Sequence, residues 1–188
     1  MNTKFTYAIS LFFDDDSTQN LNSLINSIAE ITENFYVVEN RIPPHITLGM
    51  FKGTKESEEK LCEFIKKMNE DFNLDFLEKT IALDKLDFFN NKIAVLCSSQ
   101  KKDCKEISFL YELNKNLHNL LLPLPDFAAA CNNLYLPENY FPHCAVASGL
   151  SSTQLKKLLQ KQTELNLPLE VHPQKISLAI RKPYKIIY

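Results

Sequence analysis

The chain has 188 residues, 45% of them hydrophobic and 23% charged, with a formal net charge of −2. That size and composition support a substantial core. No apolar run approaches the roughly 20 residues of a membrane span, and the slight acidity excludes a protein that grips long nucleic acid through many phosphates, though not one that binds a small phosphate-bearing ligand.

The polar start MNTK leads into a strand-like pattern and not a secretory apolar segment, so a cytoplasmic location is expected. In residues 5–13, Phe5, Tyr7, Ile9, Leu11 and Phe13 fall on one face of a strand. The run Asp14-Asp15-Asp16-Ser17 then caps a helix striped by Leu21, Leu24, Ile25 and Ile28. "FYVVEN" reads as a strand, residues 45–51 as another, and Thr54 caps a second helix with Leu61, Phe64, Ile65, Met68 and Phe72 inward. "TIALDKL" and "KIAVLCS" read as a hairpin about Asn90-Asn91, followed by a helix over about 104–121 striped by Ile107, Leu110, Leu113, Leu117 and Leu120.

Residues 123–140 are irregular, with Asn and Pro throughout. A strand over "FPHCAVAS" follows, then a helix opened by the capping box Ser151 to Gln154 and striped by Leu155, Leu158 and Leu159. The end is mostly strand, with Pro173 and Pro183 at edges or breaks, and "RKPYK" reads as a solvated cationic tail. No linker or low-complexity segment interrupts the chain, so a single domain over residues 1–188 is expected. The cysteines Cys62, Cys97, Cys104, Cys131 and Cys144 show no C-x-x-C spacing and read as buried thiols, without a disulfide framework.

Two stretches carry chemistry. In "PPHITLGM", His45 opens a strand, and alternation puts His45, Thr47 and Gly49 on one face with Ile46, Leu48 and Met50 on the other. In "FPHCAVAS", His143, Ala145 and Ala147 share the face corresponding to His45, while Cys144 and Val146 face the core. A glycine and a helix cap follow each stretch, Gly53 with Thr54 and Gly149 with Ser151, as in a duplicated unit about a pseudo-twofold axis. Two imidazoles across a cleft suit phosphodiester chemistry, because one neutral ring takes a proton from attacking water while one charged ring protonates the departing oxygen. A single Pro-His before a strand also has a structural reading, with the ring capping a loop carbonyl.

These stretches, with the opening "YAISLFFDDDS", resemble the two-histidine (2H) phosphoesterases, the superfamily of bacterial 2′-5′ RNA ligase (LigT-like) proteins. Its signature is a pair of H-x-[ST]-x (HxTx) motifs with a hydrophobic final residue. The resemblance implies an α+β, bilobal fold in which two antiparallel-rich sheets line a central cleft with helices outside. It implies metal- and cofactor-independent hydrolysis of 2′,3′-cyclic phosphates or 2′-5′ linkages, with His45 and His143 as the acid/base pair, Thr47 as phosphate donor, and a nucleotide or RNA end as partner. The first motif matches through His45, Thr47 and Leu48; the second matches at His143 and Val146 but has Ala145 in place of the hydroxyl. Cys144 and Ser148 point to the other face unless a bulge intervenes. One hydrogen bond to a charged group is worth about ten- to a hundredfold in rate or affinity, so Ala145 implies weakened rather than abolished activity; the alternative is a catalytically weakened nucleotide- or RNA-end-binding module on the same fold. A scaffold for protein interactions is a further reading.

Tyr140, just before the second motif, is the candidate ring for stacking on a base. His118, in the Leu-rich helix, is expected at a surface or boundary, and His172 carries no role. A zinc site from His143, Cys144 and Cys131 is disfavoured because adjacent strand residues point to opposite faces.

Overall fold

The computed structural model describes residues 5–71 (Asp71 by its backbone), 78–124, 127–129, 134–180 and 184–188. The fold is α+β. Its strands are β1 (Phe5–Phe13), β2 (His45–Gly53), β3 (Ile81–Leu83), β4 (Lys85–Phe89), β5 (Ile93–Cys97), β6 (Ala128–Ala129), β7 (Cys144–Ser148), β8 (Leu169–Val171), β9 (Pro173–Ile180) and β10 (Lys185–Ile186). Its helices are α1 (Asp15–Thr32), α2 (Tyr36–Glu39), α3 (Glu56–Asp71), α4 (Lys105–Leu121) and α5 (Ser152–Lys161). The large sheet runs β10-β9-β1-β2-β7-β5-β4, with β6 added beside β2 and all pairs antiparallel; β3 and β8 form a small second sheet. The two groups of strands expected to line a cleft are thus halves of one sheet. They meet where β2 pairs with β7 through Ile46 and Cys144.

The apolar alternation of β1 works as expected: Tyr7, Ile9, Leu11 and Phe13 are buried, and Ile176 and Leu178 of β9 stand opposite Leu11 and Ile9. On α3, Leu61, Ile65 and Met68 are buried, Phe64 is half-buried, and Phe72 lies outside the described residues. Asn69 ties α3 to β9 by accepting from the Ile176 N–H and donating to the Ile176 carbonyl, both at 2.8 Å. The Asp14 carboxylate accepts from the Ser17 N–H at 2.9 Å and caps α1, an arrangement that lowers its pKa. Asn90 and Asn91 take φ of 49° and 52° in a tight turn closed by the Lys92 N–H donating to the Phe89 carbonyl at 3.0 Å, within the three residues between the paired Phe89 and Ile93.

Several expectations are corrected. "FYVVEN" is not a strand: Tyr36–Glu39 form one helical turn, held by the Asn34 side chain accepting from the Tyr36 N–H and the Asn40 amide donating to the Tyr36 carbonyl. "TIALDKL" breaks at Asp84, whose carboxylate accepts from the Ser99 N–H and hydroxyl, so that β3 leaves for β8 and only β4 joins the hairpin. The stripe of α4 ends on Leu121 rather than Leu120, which is 55% exposed; Leu159 of α5 is likewise exposed, while Leu158 is buried. Cys97 and Cys144 are buried, Cys62 and Cys104 partly so, and all four are free thiols; Cys131 and Pro183 lie outside the described residues. Among the described residues no helix is long and apolar enough to cross a membrane.

The capping box of α5 has both arms: the Ser151 hydroxyl accepts from the Gln154 N–H, and the Gln154 side chain accepts from the Ser151 N–H. Ser151→Ala should therefore cost about 1 kcal/mol and lower the thermal midpoint by about 2–4 °C for a chain of this size. A melting curve followed by circular dichroism measures it, and an unchanged midpoint would show that the box carries no stability.

Candidate active site

Both histidines are prepared by the same local device. Proline has no N–H and biases the residue before it toward extended backbone. In each motif the carbonyl ahead of the proline turns back to the imidazole: His45 Nδ1 lies 2.8 Å from the Pro43 oxygen and His143 Nδ1 lies 2.7 Å from the Phe141 oxygen. A carbonyl only accepts, so Nδ1 carries the proton in both rings and Nε2 is left as the free nitrogen. Capping a loop carbonyl and acting as an acid or base are therefore compatible uses of one ring.

The sheet then brings the rings together. The antiparallel register of Ile46 with Cys144, continued one residue each way, sets Thr47 across from His143 and Ala145 across from His45. Each strand carries a bulge three residues past its histidine. Ile9 pairs with Gly49 and Ser10 with Thr47, leaving Leu48 unopposed; Ala94 pairs with Ala147 and Val95 with Ala145, leaving Val146 unopposed. Both bulged residues are buried, which gives a physical reason for a hydrophobic residue at the last place of each motif: the extra residue is turned into the core.

The bulges also correct the expected faces. Alternation holds over His45–Thr47 and His143–Ala145, then reverses. Ala147 is buried, not exposed with Ala145. Because Val95 opposes Ala145 and Ile93 opposes Ser148, Ser148 returns to the face of Ala145, about 7 Å farther along the strand.

Aromatic rings surround both imidazoles. Phe12 and Tyr184 stack on His45 at centroid distances of 5.5 and 6.1 Å; Phe89 meets His143 edge-on at 4.6 Å, with Tyr135 and Phe141 at 6.1 and 6.3 Å. Burial among these rings pushes the pKa of each histidine below its ordinary value, against the carbonyl at Nδ1 that favours the charged ring. The neighbouring charge of His45 lowers His143 further. Tyr184 is pushed up to about 12 by burial, so its phenol stays protonated.

Thr47 is buried at 9% exposure beside the histidines, on the expected face. Tyr140 is not presented for stacking: it is 5% exposed, meets Tyr111 edge-on, and its hydroxyl donates to the Thr47 carbonyl at 3.1 Å. His118 is buried, not at the surface, with Nδ1 donating to the Asn114 carbonyl at 2.8 Å. His172 is exposed and meets the Thr80 hydroxyl at 3.3 Å. Among the described residues no cluster of three or more His, Cys, Asp or Glu could hold a metal ion. Sequence reasoning missed Phe12, Phe89 and Tyr184, whose distance from the motifs along the chain hides them. It also missed Asn114, which had a signal: it interrupts the spacing Ile107, Leu110, Asn114, Leu117, Leu121.

No individually curated protein matches the chain. The family model described as the 2′-5′ RNA ligase superfamily matches residues 18–184, a span that includes both histidine strands and most of the large sheet. The chain belongs to the 2′-5′ RNA ligase superfamily, and through it to the 2H phosphoesterases.

Proposed function

We propose that this chain is a metal-independent phosphoesterase acting on 2′,3′-cyclic phosphates or 2′-5′-linked nucleotides, with His45 and His143 as its acid/base pair and Thr47 as a phosphate donor. The observation that carries the reading is the matched pair of imidazoles, each held with Nδ1 protonated, on neighbouring strands in register. In hydrolysis of a cyclic phosphate, water attacks phosphorus and gives its proton to one neutral Nε2. The ester oxygen leaves with a proton from the other, charged Nε2, so one ring ends charged and the other neutral. The ester oxygen that faces each ring decides which is acid and which is base. The superfamily consists largely of phosphoesterases; a nucleotide or RNA-end substrate for this chain, and its place in the cytoplasm, are part of the proposal.

Turnover of a panel of 2′,3′-cyclic nucleotides in EDTA tests the reading. Wild-type protein should turn over at least one member, and His45→Ala and His143→Ala should each lose about 10²–10⁴ in rate. Full activity in either variant would remove that histidine from the mechanism.

A second reading is favoured by Ala145: a binding module that keeps the cleft without turnover. Ala145→Thr separates the two, because restoring a donor beside His45 should raise the rate by up to about ten- to a hundredfold if a phosphate oxygen is unserved there. An unchanged rate would mean that another donor, such as Ser148, already fills the role. Saturable binding with no turnover in either protein would establish the module.

The depressed pKa values fix the sign of the pH dependence. The active form of the free protein needs one charged and one neutral ring, and both rings lose their protons below the ordinary histidine range of about 6.5. The bell of kcat/KM should therefore peak below about pH 6.5 and fall through neutrality. A maximum above pH 7 would contradict the lowering of both imidazole pKa values by burial.

A further inference from the structure

The bulge after His45 exposes two consecutive backbone carbonyls to the other half of the molecule, and both are captured by side chains. The Tyr140 hydroxyl donates to the Thr47 oxygen at 3.1 Å, and the Asn114 amide nitrogen donates to the Leu48 oxygen at 2.7 Å. The second hydrogen of the same amide goes to the Tyr135 oxygen at 2.8 Å. Both partners of the amide accept only, which fixes its orientation. Glycine at 49 makes room for the Phe51 ring, which a Cβ there would meet at 2.8 Å, and that ring packs against His118 of α4 at a centroid distance of 5.0 Å.

Packing alone does not account for Asn114. It is fully buried on the apolar side of α4, a place that a leucine would fill without desolvating an amide. Its Oδ1 is buried with no hydrogen-bond partner among the described residues, so the site carries a cost that the two donated bonds must offset.

The positions of those bonds point to what they secure. Strands β2 and β7 share one bridge pair, Ile46 with Cys144, and His143 stands just ahead of β7. A single bridge leaves the approach to His143 free to swing about it. Asn114 fastens that approach at Tyr135, Tyr140 fastens it five residues later, and the anchors on the His45 strand are the carbonyls of Leu48 and Thr47. We infer that Asn114, with Tyr140, is a positioning residue that sets the separation and angle of the two catalytic imidazoles by tying the approach to His143 onto the bulge of the His45 strand. Its catalytic consequence rests on the phosphoesterase reading, while its structural part does not. Proton transfers on two sides of one phosphorus tolerate little displacement, since about 1 Å costs about a hundredfold.

The experiment has two arms, applied to Asn114→Leu and Tyr140→Phe, with Ser151→Ala as a remote control for lost stability. In protein labelled at histidine, NMR should show the ring signals of His143 displaced in both variants and unmoved in the control, and hydrogen exchange over residues 134–143 should quicken only in the two variants. In turnover of a 2′,3′-cyclic nucleotide, kcat should fall about ten- to a hundredfold with KM nearly unchanged, because Thr47 and both histidines remain. Unmoved His143 signals in both variants, or an equal displacement in the control, would overturn the inference. If Asn114→Leu fails to fold, Tyr140→Phe, which removes one hydroxyl, decides alone. If the wild type has no turnover, the phosphoesterase reading fails by itself and the NMR arm still decides the clamp.

Discussion

The pairing of Ile46 with Cys144 is the contact on which the rest of the arrangement depends. It joins β10, β9, β1 and β2, with β6 beside β2, to β7, β5 and β4, and it sets the two histidine strands side by side with one register. Had the register slipped by a single residue, every side chain of β7 would have exchanged faces and His143 would have turned into the core. Both pairing residues are almost completely buried, so the contact is dry as well as specific. The twin bulges at Leu48 and Val146 then increase the local twist of each strand and curl the sheet about this junction. Phe89, at the far end of its hairpin, reaches His143, and Tyr184 reaches His45 from the other side.

Around this junction the two halves are alike in geometry and unlike in chemistry. The x-Pro-His segment, the carbonyl holding Nδ1, the bulge and the covering ring are all duplicated. The hydroxyl is not: Thr47 stands across from His143, and Ala145 across from His45. Under the proposed phosphoesterase reading, Thr47 would serve a bound phosphate from one side, with no matching hydroxyl at Ala145 on the other. Burial of both rings adds a second constraint, because it favours their neutral forms and makes the binding of an anion and the charging of one imidazole mutually supporting.

Much of this was legible in the chain because it was written in local signals. Alternation in β1, the Asp14 cap, the Ser151 box and the Asn90-Asn91 turn are each settled within a few residues, and the structure keeps them. The placement of the two histidines on adjoining segments of the sheet was legible because a repeated motif carries more information than one. What failed was non-local. The faces beyond Leu48 and Val146 reversed because a bulge is set by the partner strand. "FYVVEN" became a turn because two asparagines closed it, against the strand preference of its valines. Tyr140, read as a stacking ring, is turned inward, where its hydroxyl donates to the Thr47 carbonyl on another strand. His118 was assigned to a surface or boundary because the α4 stripe was drawn through Leu113 and Leu120; drawn through Asn114 and Leu121, it brings the polar pair into the core.

The central claim is that both imidazoles, each with Nδ1–H held by a carbonyl, turn Nε2 toward one shared phosphate, one of the two being protonated in the active form. Nitrogen-15 NMR of histidine-labelled protein tests it directly: the tautomers are read in the free protein at a pH above the titration of both rings, and a 2′-phosphorylated nucleotide is then added stepwise at a pH where one ring is charged. The expected result is the Nδ1–H tautomer for His45 and His143 in the free protein, with both Nε2 signals shifting along one common binding curve. An Nε2–H tautomer in either ring, or a ligand that moves one Nε2 signal and leaves the other in place, would contradict a single two-histidine site.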